Sequence, residues 1–263
     1  MGTLRDYYFT MRYLEFPPSP RLRRYVECYW QLQSSRQPSP PAAERIVPDG
    51  CVELIFNFGD RFKRFHVNGK VEVQPETLIA GQMRSYALIQ PLGQIMLWGI
   101  RFRPAGAFAF LHVPLQQLTD QIIEGEAVLA RWASELQERL ALAHSIRACI
   151  KLFEAALLQR QHDRWQCDRL VEEAVRRIAA TDGRVQVERL FADLGLSGRQ
   201  IERKFQSMVG FSPKMLARIL RFQRIFKSAG HALDSWSAVA VDCGYYDQAH
   251  LIHDFQQYKE MEK

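Results

Sequence analysis

The sequence predicts an α+β chain in three parts. These are an N-terminal β-rich barrel or sandwich over residues 1–125, a helical connector or dimerisation segment over 126–162, and an all-α C-terminal domain over 163–263 with a double helix-turn-helix. Three observations predict this. Short runs of β-branched and aromatic residues, bounded by Gly, Pro and Asp, fill the first part and read as strands between turns. Apolar residues recur at helical spacing through the middle. Beyond residue 186, two helix-turn-helix patterns stand on either side of one basic helix.

In the first part, Pro-rich spacers beginning at Phe16 and Gln37 separate apolar runs that start at Val26, Cys51 and Ile95. Pro48-Asp49-Gly50 and Phe58-Gly59-Asp60 are turn signals around the second of these runs. Glu53 lies within a predicted strand, and Arg101 and Arg103 flank Phe102 in another. These charged residues either line a pocket for an acidic or polar ligand or form a salt bridge at a strand edge. His66 and His112 are isolated, without the spacing of a metal site. In the connector, Leu129, Trp132, Leu136, Leu140 and Ala143 hold one helical stripe, and Ile146, Ile150, Phe153 and Leu157 hold a second. Two readings stand for these helices: a packing layer within the chain, or a homodimer interface.

The first C-terminal unit starts with Val187, Leu190, Phe191 and Leu194 at helical spacing. Gly195 suits a left-handed turn, and Ser197 with Gln200 has capping-box spacing for a second helix. Ile201, Phe205 and Met208 are expected to face inward there, leaving Arg199, Glu202, Arg203 and Gln206 outward. Ser212 and Pro213 then start the basic helix. From Ser197 to His231 eight basic residues, among them Lys204, Lys214, Arg218 and Arg221, stand against one acid, Glu202. That segment is therefore more positive than the whole chain, whose net charge is +6. Such a cluster suits phosphate neutralisation. A helix of about 17 residues at ~1.5 Å per residue gives a ~25 Å spacer, against the ~34 Å repeat of major grooves on one DNA face.

The second unit repeats the design: Val239, Ala240 and Cys243 inward, Gly244 at the turn, and Asp247 capping a helix whose inner face is Leu251, Phe255 and Tyr258. Gln248, Ala249, His250, Ile252 and His253 lie near its open end or outer face. Gln248 suits pairing with adenine and Ile252 contact with a thymine methyl.

The stretch from Val239 to Phe255 resembles the C-terminal signature of AraC/XylS-type transcription regulators. Residues 196–213 resemble their first helix-turn-helix and the start of their linker helix. This resemblance covers roughly residues 165–258. It implies base contacts from Arg199, Glu202 and Arg203 and from Gln248, Ala249, His250, Ile252 and His253, with the linker helix on phosphate. It also implies double-stranded DNA and RNA polymerase as partners and allows a homodimer, and the expected mechanism places a small-molecule ligand in the N-terminal domain. Most of residues 10–125 resemble an uncharacterised sensor-like domain that often precedes such a reader. Two departures weaken the second unit. Residues 234–263 carry six acids against two lysines, and the sequence runs out where the family continues into a last helix. The alternative is therefore a ligand-binding or protein-interaction module with a decayed DNA reader.

Other functions find no support in the sequence. It has no GxSxG, HExxH, GxGxxG or P-loop pattern, so no catalytic residues, metal or cofactor are expected and the chain is not read as an enzyme. No segment approaches the ~20 apolar residues of a membrane span. Five scattered cysteines without close pairs fit a reducing cytoplasm, and no membrane partner is expected.

Overall fold

Strand β4 (Val52–Asn57) shows how the layers of this molecule arise. Its side chains alternate, as in any strand: Val52, Leu54 and Phe56 enter the main core, while Glu53, Ile55 and Asn57 line a cavity on the other face. Both faces are therefore covered, and the run reads as nearly continuous apolar sequence interrupted by two polar residues.

The structure is a computed structural model that describes residues 11–34, 42–161, 165–195 and 198–229. Besides β4, its strands are β1 (Met11–Phe16), β2 (Val26–Ser34), β3 (Glu44–Ile46), β5 (Phe62–Phe65), β6 (Val71–Val73), β7 (Thr77–Ala80), β8 (Ala87–Pro91), β9 (Met96–Phe102) and β10 (Ile122–Glu124). They form a six-stranded sheet in the order β1-β2-β9-β4-β7-β10 and a four-stranded sheet in the order β3-β8-β5-β6. All pairings are antiparallel. Of the two predicted forms, the sandwich is the one observed; the large sheet does not close into a barrel.

A short helix α1 (Phe108–Leu111) follows β9, and α2 (Gly125–Leu129), α3 (Arg131–Ala141) and α4 (Ile146–Arg160) follow β10. The connector thus holds three helices where two were expected. The left-handed Ala130 separates α2 from α3. Ser145 caps α4, its hydroxyl accepting from the Ala148 amide. Phe153 of α4 is fully buried and meets Tyr29, Phe56 and Trp98, with ring centroids 5.5, 5.8 and 6.2 Å away. Leu129, Leu136, Leu140 and Leu157 join the same core. Apart from the exposed Ile146, the connector stripes therefore pack within the chain, against the large sheet.

A second core gathers the C-terminal helices α5 (Arg169–Ala180), α6 (Val187–Asp193), α7 (Gly198–Val209) and α8 (Pro213–Ala229). Val171, Ala174 and Ile178 from α5 pack with Leu190, Ile201, Phe205 and Leu216. Met208 borders both cores.

The two halves also meet through polar contacts. The Gln82 side-chain amide, fully buried, donates to Leu115 O and to Thr119 Oγ1, both at 2.9 Å. Thr119 in turn donates to Gly210 O at 2.9 Å, at the turn between α7 and α8. Gly210 has φ +87°, and a Cβ there would collide with Gln82. Elsewhere Arg24 pairs with Glu172, and Gln223 of α8 donates to Pro48 O.

Phe153→Ala is expected to cost about 3–5 kcal/mol, read as a drop in the denaturation midpoint. Gly210→Ala adds a left-handed penalty of about 1–2 kcal/mol and displaces Gln82. It is expected to lower Tm and expose the turn at residue 210 to limited proteolysis.

Candidate functional site

The first helix-turn-helix is built as its apolar spacing requires. Val187 and Leu190 of α6 and Ile201, Phe205 and Val209 of α7 are buried. Gly195 turns the chain at φ +65°, while the expected cap Ser197 lies outside the described residues. Burial of the inner face leaves Arg199, Gln200, Glu202, Arg203 and Gln206 exposed along the other side of α7. Two arginines, an acid and two amides are thereby presented near the open end of a supported helix. Such side chains can hydrogen-bond base edges and phosphates.

The remaining basic residues are placed differently. Lys204 turns back to Asp168, with Nζ 2.6 Å from Oδ2. The Lys204 ammonium holds that carboxyl below its ordinary range, and Asp168 also caps α5 by accepting from the Leu170 amide. Ser212 and Pro213 start α8 as expected, with the Ser212 hydroxyl accepting from the Met215 amide at 3.2 Å. On α8, Lys214 is exposed and pairs with the equally exposed Glu188 at 2.6 Å, a contact that solvent makes weak. Arg218 is half-buried, and Arg221 donates to Gly183 O at 2.8 Å. Arg224 pairs with Asp182 at 2.6 Å. Arg221 and Arg224 thus hold α8 against the turn after α5. Gln248, Ala249, His250, Ile252 and His253 of the second unit lie outside the described residues.

A second site lies in the N-terminal half. Between the two sheets is a cavity of about 420 Å³, within the range of small-molecule sites. Its walls are mainly apolar, with Met11, Leu32, Ile55, Leu78, Ile89 and Ile122 from six different strands. Trp30 fits beside Arg101 and Glu53 because its cross-strand partner is Gly99, where a Cβ would lie 2.1 Å from the indole.

Glu53 and Arg101 are cross-strand partners on neighbouring inner strands β4 and β9. They form the ion pair that sequence allowed for, though not at a sheet edge, and they also line the cavity. Arg101 Nε is 2.7 Å from Glu53 and 3.6 Å from Asp49, and its Nη1 is 3.3 Å from Glu15. Burial works against the guanidinium charge, but Glu53 and Asp49 outweigh it and the net direction is upward. Burial raises the Glu53 carboxyl, Arg101 pulls it back and Asp49 raises it again, to about 7. Arg103 instead faces Glu27 at 2.6 Å and is not part of the cavity wall.

Sequence reasoning missed three functional positions. Asp49 was read only as a turn residue, yet its carboxylate accepts from the Cys51 amide and faces Arg101. Gln223 of α8 closes one side of the cavity. Asp168 engages Lys204. Polar residues inside an otherwise apolar strand, Glu53 and Asn57, were the signal that a cavity faces β4. Nothing local marks Gln223, whose role comes from packing between remote segments.

Because the Glu53 pKa lies above that of an unfolded glutamate, the folded protein holds this proton more tightly. The associated stability is complete below about pH 4.5 and is lost as pH rises through about 7. Thermal unfolding between about pH 4 and pH 8 should show this fall. Glu53→Gln is expected to flatten it; a curve parallel to the parent's would remove Glu53 as the titrating group.

Residues 14–124 match the family model of a domain of unknown function, DUF6597. No curated protein matches the chain in sequence. Among solved structures, ToxT from Vibrio cholerae is similar at 9% identity and a TM-score of 0.43, covering 94% of each chain. Unsaturated fatty acid-bound wild-type ToxT from Vibrio cholerae strain SCE256 is similar at 8% identity and a TM-score of 0.45, over 94% of this chain and 90% of that one. The AraC-like transcriptional activator CuxR is similar at 13% identity and a TM-score of 0.33, over 83% of this chain and 80% of its own.

Proposed function

We propose that the chain is a sequence-specific, DNA-binding transcription regulator of the AraC type, controlled by a small molecule held between its N-terminal sheets. The observation that carries this reading is α7. Its inner face is locked into the C-terminal core while Arg199, Gln200, Glu202, Arg203 and Gln206 are exposed together. A buried inner face fixes the helix rigidly enough for its outer residues to meet base edges in register. The second unit, read from the sequence at 236–258, supplies contacts in the next groove, and Lys214 at the start of α8 meets phosphate between them. Lys204, Arg218 and Arg221 contribute to DNA binding only as far as phosphate competes with their contacts inside the protein.

Control follows from the position of α8. Gln223 forms part of the cavity wall and binds Pro48 O, and Leu216 packs beside Gly50. A ligand acts by favouring one arrangement of this junction over another, because equal affinity for both shifts nothing.

Selection from a random duplex pool with the full chain tests the reading. The expected winner is a bipartite site with half-sites about one helical turn, ~34 Å, apart. Arg199→Ala and Arg203→Ala should each weaken binding roughly tenfold or more. Affinity for the winner should fall steeply between two salt concentrations. A folded chain that enriches no sequence, with or without added small molecules, would instead leave a protein-interaction or ligand-binding module.

A further inference from the structure

The charge distribution of the cavity narrows its ligand. Four lining residues carry acidic or basic side chains: Glu44, Asp49, Glu53 and Arg101. Three carboxyl groups thus face one guanidinium. That one charge is already engaged, because Arg101 directs its Nε to Glu53 and lies near Asp49, while its Nη1 reaches Glu15 outside the cavity wall. An entering anion would have to displace a carboxylate from Arg101 and remain beside it, and like charges at such range repel strongly in a poorly solvated site. An entering cation meets the opposite situation, because carboxylate charge exceeds what one guanidinium neutralises.

Two aromatic rings stand at the same end. Tyr13 and Trp30 line the cavity with centroids 6.1 Å apart, and Glu15, which bonds Arg101, is the cross-strand partner of Trp30. Aromatic faces attract cations by their quadrupole. Elsewhere the walls are mainly apolar, with Phe62 and the amides of Asn57, Gln74 and Gln223 among them.

We infer that the cavity takes an amphiphilic amine: a cationic nitrogen placed among Glu53, Asp49 and the Trp30 and Tyr13 rings, with an apolar body between the sheets. This rests on the reading of the cavity as the control site and names the ligand class that reading leaves open. The acidic end recognises the head through hydrogen bonds in which donor and acceptor carry opposite charges, which a neutral or anionic head of equal size cannot make. The apolar walls favour the body in proportion to the area it removes from water.

Isothermal titration of the full chain, without DNA, with octylamine, octanol and octanoate provides the test. The three probes share one apolar body and differ in head charge. Octylamine is expected to bind roughly tenfold or more tighter than octanol, as one charge-assisted contact implies, and octanoate weakest. Glu53→Gln should remove most of the preference for the amine, read as the ratio of octylamine to octanol affinity. Glu44→Gln, on the outer strand β3, should reduce the same preference in a chain whose Arg101 pair is intact. Octanoate binding as tightly as octylamine, or no binding by any of the three to a folded chain, would overturn the inference. Since DNA is absent from this titration, its failure would leave selection from the duplex pool as a separate test of the DNA reading.

Discussion

Everything else in the N-terminal half depends on the six-stranded sheet being covered on both faces. On one face the cover is close-packed: Phe153 stands among Tyr29, Phe56 and Trp98, and the stripes of α3 and α4 complete the layer. On the other face the smaller sheet covers only part of the area. Strand alternation sends Glu53, Ile55 and Asn57 to that side, and the space left there is the cavity. A buried charge is costly unless paired, so Arg101 has to lie opposite Glu53, and the β4–β9 register puts it there. The register that builds the core therefore also builds the polar end of the cavity.

The junction between the halves has another character. Its contacts include the Thr119–Gly210 and Gln223–Pro48 hydrogen bonds and the Arg24–Glu172 pair, beside apolar packing around Met208. Polar contacts of this kind exchange with water at little net cost, unlike the cavity that removal of Phe153 would leave. The junction is consequently the element in which two arrangements can differ by a small free energy. Gln223 belongs to both the cavity wall and α8, so one side chain links the two.

Basic residues that look alike in sequence do different work in three dimensions. Arg199 and Arg203 face solvent from α7, whereas Arg221 and Arg224 on α8 hold the turn around Asp182 and Gly183, and Lys204 holds Asp168. A charge count over residues 197–231 measures the field around the domain, which steers a polyanion. It does not say which side chains touch it. Helical spacing separated Arg199 and Arg203 from Ile201 and Phe205, because a 3.6-residue period assigns faces within a helix. It was silent on Lys204, whose partner lies 36 residues earlier.

The amino-acid sequence by itself determined the elements with strong local causes. The strands around Val26, Cys51 and Ile95, the Ser212-Pro213 helix start and the left-handed Gly195 all follow from side-chain sterics and hydrogen bonding within a few residues. The buried face of the first helix-turn-helix follows in the same way. Only the tertiary structure decided that the connector helices cover the large sheet, that Asp49 turns toward Arg101, and that Gln223 closes a cavity between sheets built from another part of the chain. The physical reason is range. Propensity and periodicity act over one or two turns of backbone, while a cavity and its charge balance arise from which strands become neighbours, and that is settled by the combined burial of the whole core.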